Sequence, residues 1–396
     1  MRITDVRLRR IEGVLPTGED VWEERLARPI DIYPEYRRDN DFEGGVQLVD
    51  GFHITTFFLE VETDQGVTGR AGPIPEGVAF IIARSLRKLL LGQDPIAGEK
   101  LWDQMHRSLI HGRQGEAMLA ISAVDCALWD IKGLWLDQPV YRLLGGPTRD
   151  EIPAYASMLG FSVLDEQRVQ NRALEYKELG FPAQKWFFRH GPMSGHDGMR
   201  QNVNLVRTVR EAVGEDYDLM FDCWQAMDVH YAAELADRIK EFKPRWLEEA
   251  VMPDRVGSYS ELKRRTSIPL AGAEHEYTRW GMKRFVDANA LDVLQPDIYW
   301  CGGLSETLKI AAYATTHDLT VIPHGHSATA TLHFSLTQSP IHTPYQEHLV
   351  TWNRIHQYFL ENPVTPANGQ LTLPTASGLG MTLDEAKIHR EEVVFT

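Results

Sequence analysis

Apolar and polar positions follow two patterns along this chain. From residue 152 onward, apolar runs of four to eight residues, rich in Val, Ile, Leu and Phe, alternate with segments of helical period. IPAYASM at 152–158 and AQKWFF at 183–188 come first, and later runs close in FDCW, WLEEA, AGAEH, LQPD, VIPHG and YQEH. Runs that are apolar throughout and separated by helices read as buried parallel strands. Helical patterns fall at about 163–179, 199–213, 229–241, 279–288, 303–315 and 327–338, with a weaker one near 258–266. Eight strands with helices between them predict a (β/α)8-type barrel over residues 131–350.

Residues 1–130 predict an α+β capping domain instead. Val6 and Leu8 open a strand, and ITTFFLEVET followed by VTGRAG reads as a β-hairpin turning at Asp64, Gln65 and Gly66. Helical spacing follows at about 79–91 and 98–109, then from Glu116 to Leu136 with Leu119, Val124, Leu128 and Ile131 on one face. Residues 13–50 carry no period and are rich in Pro, Gly, Arg and Asp, which in so long a loop points to function or disorder. Residues 351–396 lose the period again, with Pro363, Pro366 and Gly369, and are expected to be loops that return to the capping domain and complete it.

Charge narrows the choice of partners. The 396-residue chain has a formal charge of -15, which argues against nucleic acid, because a phosphate footprint needs a basic face. No apolar run approaches the length that spans a bilayer, and the basic MRITDVRLRR start has no apolar core behind it, so a cytoplasmic protein is expected. Cys126, Cys223 and Cys301 are too few and too scattered for a disulfide framework.

Most of the later runs end in an acid or a histidine. In a barrel the C-terminal strand ends converge on one face, so these groups would ring one pocket. Asp222, Glu248 and Glu274 are spaced by 26 and 26 residues, about one strand and helix each. Three convergent carboxylates repel unless a cation holds them, and Mg2+ suits an all-oxygen set that leaves positions open. Each acid could instead pair with a Lys or Arg inside the barrel, but the regular spacing disfavours that for all three. Glu249 follows Glu248, and successive strand residues face opposite ways, so Glu248 is assigned to the pocket and Glu249 behind it.

His324 lies 27 residues after Asp297, on the adjacent strand. A carboxylate beside an imidazole fixes its tautomer, as expected of a histidine that takes and returns a proton, and His326 is the alternative. Lys185 lies in an apolar run and can stabilise developing negative charge or act as a base; a solvated lysine is the ordinary alternative. His275 can be a structural hydrogen-bonding residue or a substrate contact.

DCW, WLEE, AEH, QPDIYWCGG and PHG, with ALWDIKG…PVYRLLGG before them, together resemble the mandelate racemase subgroup of the enolase superfamily over nearly the whole chain. Within it the chain is most similar to acid-sugar dehydratases, of the L-rhamnonate dehydratase type. The resemblance implies Mg2+ on Asp222, Glu248 and Glu274, a His324–Asp297 dyad, and Glu347 sharing a hydrogen bond with the substrate carboxylate. A small-molecule sugar acid and a homo-oligomer are the expected partners. Arg25, Arg37, His275 and Trp224 are the expected substrate contacts.

Two departures matter. Racemases of the subgroup often carry Lys-x-Lys on strand two, whereas this chain has Lys185-Trp186-Phe187. Rhamnonate dehydratases place a loop histidine on the sugar, but the first histidine here is His53, which leaves Arg25, Arg28, Arg37 and Arg38 to fill the role. The expected reaction is loss of the C2 proton and the C3 hydroxyl of an aldonic acid, giving a 2-keto-3-deoxy acid. A racemase or epimerase, and a catalytically idle metal-binding protein, are the rival readings.

Overall fold

The computed structural model describes residues 1–18, 20–38 and 45–395. The first sheet is antiparallel and contains β1 (Ile3–Leu15), β2 (Val46–Leu48), β3 (Gly51–Thr63) and β4 (Thr68–Ile74). The β3–β4 hairpin turns at residues 64–66, as its sequence predicts. In β1, buried Val6 and Leu8 alternate with Arg7 and Arg9, which reach Glu60 on the opposite face of the sheet. The alternation follows from the two-residue period of a strand packed on one side.

Eight parallel strands form the second unit: β5 (Glu151–Ser157), β6 (Ala183–Phe187), β7 (Asp218–Asp222), β8 (Trp246–Glu248), β9 (Leu270–Gly272), β10 (Val293–Leu294), β11 (Thr320–Val321) and β12 (Gln346–Leu349). They pair in chain order from β5 to β11, and β12 returns to pair with β5. Between β11 and β12 a 2.8 Å bond from Val321 N to the His342 carbonyl bridges the ring. The interior holds Tyr155, Ala183, Met220, Trp246, Ala271, Val293 and Ile322, a packed plug rather than a pore.

Several boundaries differ from the sequence expectation. The first barrel helix starts at Glu166 rather than 163, because Asp165 caps it by accepting from Gln167 N and Arg168 N at 3.1 Å. The supposedly irregular 13–50 stretch includes the end of β1, two short 3-10 turns at Pro29–Ile32 and Pro34–Arg38, and β2. The C-terminal segment holds helix Val350–His356 and two strands, β13 (Gln370–Thr372) antiparallel to β5 and β14 (Arg390–Val394) antiparallel to β1. Short edge strands among prolines and glycines have too few residues to show a period.

Helix Glu116–Trp135 joins the two units. Its buried Asp125 accepts from Ser305 N at 2.9 Å and Ser305 Oγ at 2.6 Å, and Ser122 Oγ accepts from Gly302 N at 2.9 Å. One turn later, Asp130 accepts from Arg70 N of β4 at 2.9 Å and from Leu379 N of the C-terminal segment at 2.7 Å. Burial raises both carboxyls, Asp125 to about 7 and Asp130 to about 6, while these hydrogen bonds oppose the rise.

Candidate active site

The C-terminal ends of the barrel strands bring the ionisable residues together. Phe187, Asp222 and Glu248 are in register on β6, β7 and β8, so all three point inward. Lys185 lies one inward position deeper than Phe187. Its ammonium is fully buried, donates to Glu248, and stands 3.1 Å from Asp222 Oδ2 and 2.8 Å from Glu347 Oε1. Burial would lower the lysine, but Glu248, Glu347 and Asp222 outweigh it and hold it well above its ordinary value. Lys185 is therefore a fixed cation beneath the pocket rather than on its wall.

Glu248 has further partners on its other oxygen. Trp246 Nε1 donates to Oε2 at 2.8 Å and Gln295 Nε2 at 2.7 Å. Neither residue stands out in the sequence, although each sits two positions before an acid, Glu248 or Asp297, and so shares its face. Glu249 departs from extended geometry, with φ 42°, and turns toward His275, whose Nδ1 is 2.8 Å from Glu249 Oε2. Asp222 Oδ1 accepts from Trp224 N at 2.9 Å. Gly325 N donates to Glu347 Oε2 at 2.8 Å, and a Cβ at Gly325 would stand 2.7 Å from the Glu347 side chain, so only glycine admits the acid there.

His324 and Asp297 form the expected pair. His324 Nδ1 donates to Asp297 Oδ2 at 2.8 Å, and Asp297 Oδ1 accepts from Tyr299 N at 2.7 Å. This fixes the ring so that Nε2 is the free nitrogen, 3.8 Å from Glu274 Oε2. Burial pushes the imidazole down, but Glu274, Asp297 and Glu347 raise it to about 10. His326 is different, because burial and the neighbouring His356 hold it well below its ordinary value. It packs at a tilt among Trp300, Trp352 and His356 at ring distances of 5.1, 5.4 and 4.1 Å.

Residues 22–28 roof the pocket. Ala27 N donates to the Phe188 carbonyl at 2.7 Å and Glu23 N to the Gly160 carbonyl at 2.7 Å, docking the segment on the loops after β5 and β6. Gly160 has φ +90°, and a Cβ there would fall 2.2 Å from the Trp22 ring, so the close approach requires glycine. The cavity, about 200 Å3, is walled by Trp22, Arg25, Arg28, Phe187, Asp222, Trp224, Glu274, Trp300, His324, His326 and Trp352.

Arg25 and Trp224 thus lie where substrate contacts are expected, and Arg28 joins them. Arg25 is largely committed to the lid itself, donating to Asp31 at 2.7 Å and to the Leu26 and Arg37 carbonyls. Arg37 stands outside the cavity wall, where its guanidinium donates to the Asp31 and Ile32 carbonyls at 2.7 and 3.3 Å. The arginine thereby folds back on the carbonyls of its own neighbouring turn. The Arg38 side chain lies outside those described.

The donor set fits a hard divalent cation. Asp222, Glu248, Glu249, Glu274, Asp297 and Glu347 are all at most 2% exposed, and among the described residues the ion pairs of these six carboxylates run to Lys185, His324 and His275. Burial raises Asp222, Glu248 and Glu274, each beside another acid, so a cation would relieve the repulsion. Among the described residues, Glu249, Glu274 and His275 bring one ligand atom each within 4.8 Å of one another. Asp222 and Glu248 are drawn instead to Lys185.

Comparison with known proteins places this geometry in a family. Residues 53–145 match the mandelate racemase / muconate lactonizing enzyme N-terminal domain, and residues 168–387 the enolase C-terminal domain-like family. The chain belongs to the enolase superfamily of enzymes, in its mandelate racemase group. It is 36% identical to an L-rhamnonate dehydratase of Saccharopolyspora erythraea, over 97% of this chain and 99% of that one. Among solved structures it is similar to rhamnonate dehydratase from Gibberella zeae complexed with Mg (TM-score 0.84, 29% identity, 98% of this chain and 96% of that one). The 3,6-anhydro-D-galactonate cycloisomerase of Zobellia galactanivorans is also similar (TM-score 0.79, 30% identity, 98% and 100% covered).

Proposed function

We propose that this enzyme is a hydro-lyase that dehydrates an aldonic acid, L-rhamnonate or a related sugar acid, to a 2-keto-3-deoxy acid. The observation that carries the reading is the 2.8 Å His324–Asp297 dyad on the pocket wall, with Phe187 at the inward position of β6 where a second base would stand. One base suffices for elimination, whereas racemisation needs one on each face of the carbon. Asp222, Glu248 and Glu274 would hold Mg2+. When bound, Mg2+ supplies positive charge to the developing enediolate and offsets the Glu274 charge that raises His324.

The remaining roles belong to side chains. His324 Nε2 takes the C2 proton and returns it to the departing C3 hydroxyl, so the imidazole ends as it began and water is released. Asp297 holds the ring and stabilises its charged form between those steps. Lys185 offsets Glu248, Glu347 and Asp222 from below, and Glu347 shares a hydrogen bond with the substrate carboxylate. Trp22 of the roofing segment and Phe187 of the wall exclude water from the reacting carbons.

The test is a panel of aldonic acids incubated with Mg2+ and assayed for 2-keto acid. L-Rhamnonate or a near relative should give product, while His324→Asn should give none and should lose C2 deuterium exchange. Recovery of C2-epimerised substrate without keto acid would replace this reading with an epimerase.

A further inference from the structure

A second carboxylate–imidazole pair lies beside the first and has no part in the reaction proposed above. Glu249 is fully buried at the end of β8, and its Oε2 accepts from His275 at 2.8 Å and from Gln225 Nε2 at 3.1 Å. Its Oε1 is buried with no hydrogen-bond partner among the described residues. A half-satisfied buried carboxylate is costly to keep for packing alone. It also requires a left-handed backbone, φ 42°, at a residue with a side chain.

The two pairs are laid out alike. His275 and His324 lie against the Trp300 ring at 5.2 and 5.0 Å, and Glu274 stands between them, 3.5 Å from His275 Nδ1 and 3.8 Å from His324 Nε2. Nδ1 is held by Glu249 Oε2 and Gln225 Nε2, each at 2.8 Å, and about a quarter of the His275 side chain is exposed. The ring lies just behind the cavity wall, between Trp224 at 6.1 Å and Trp300 at 5.2 Å, both of which line the pocket. The three atoms of Glu249, Glu274 and His275 are spaced for a cation, but Nδ1 is already engaged by Glu249 Oε2 and Gln225 Nε2, each at 2.8 Å.

We propose that Glu249 is a positioning residue that fixes His275 with Nε2 toward the pocket, where it hydrogen-bonds a hydroxyl group of the bound sugar acid. The assignment rests on the sugar-acid reading above. Glu249 acts only through the ring, so removing either partner should weaken the same contact.

The experiment is a double-mutant cycle on ligand binding in the His324→Asn protein, by calorimetry with L-rhamnonate and Mg2+. E249Q and H275N should each weaken binding about 10-fold, the scale of one hydrogen bond to a charged group. The double variant should be no weaker than H275N alone, and neither Mg2+ affinity nor melting temperature should change. Should E249Q fail to fold, H275N at its partly exposed position still tests the ligand contact. Losses that multiply in the double variant, or E249Q weakening Mg2+ itself, would overturn the dyad. So would a protein that binds no L-rhamnonate, or binds it regardless of both substitutions. If the cycle holds while the wild type dehydrates no aldonic acid, the reaction reading fails and the dyad stands.

Discussion

Within the barrel, the same strands build two layers that differ in every respect but register. The lower layer, with Tyr155, Met220, Trp246 and Ile322, is apolar and closed. Two residues further along, Asp222 follows Met220 and Glu248 follows Trp246, and the interior becomes a set of acids gathered over Lys185, whose charged side chain rises from the row of Met220. The lower layer supplies the burial that holds the strands, and the upper layer exploits that rigidity to keep like charges together. Stability and chemistry are therefore separable by a step of two residues.

Asp222→Asn should break the contrast most sharply. It removes one of the anions proposed to hold Mg2+ while relieving repulsion, so turnover should fall by at least about 10^3-fold with melting temperature held or raised. Parallel activity and melting assays check this; a variant that unfolds would show the acid to be structural. Lys185→Met should do the reverse in the absence of metal. Three buried acids lose their shared cation, which should cost about 3–5 kcal/mol of stability in a urea titration, and added Mg2+ should restore part of it.

Met220→Ala, directly beneath Asp222, should cost about 2–5 kcal/mol by opening a cavity, with residual activity in the folded fraction near that of wild type. An equal loss of turnover per folded molecule would show that the layers are coupled. The smallest effect is expected at His333, away from both layers, whose Nδ1 accepts from Tyr141 N at 3.1 Å. Burial holds this imidazole at about 3, below its ordinary 6.5, so the unfolded chain takes up the proton first. Stability should drain as pH falls from 6.5 toward 3, by roughly 2 kcal/mol at pH 5. His333→Asn keeps an acceptor and should flatten that slope in melts at pH 5 and 7.

The upper layer was more legible in sequence than its surroundings. Acids at a regular spacing of 26 residues mark strand ends because a charge rarely interrupts an apolar run without a partner. The hairpin at Asp64–Gly66 was legible for the same kind of reason, a local turn signal between two periodic runs. Partners fixed by tertiary contact were not. Nothing local announces that Gln295 reaches Glu248, that Arg37 folds back on its own turn, or that Glu249 leaves the strand geometry to meet His275. β14 was missed because five mostly polar residues on an exposed edge give no burial pattern until β1 is beside them.

The buried acids of helix Glu116–Trp135 have a mechanical consequence. Ser122 and Asp125 grip residues 302–305, a few positions beyond Asp297, while Asp130 grips β4 and the C-terminal segment. The two sheets are thus welded through one helix that also anchors the loop following Asp297. Such a joint ties cap and barrel together on both sides of the helix. Heat or denaturant should accordingly melt the cap and the barrel in one cooperative step.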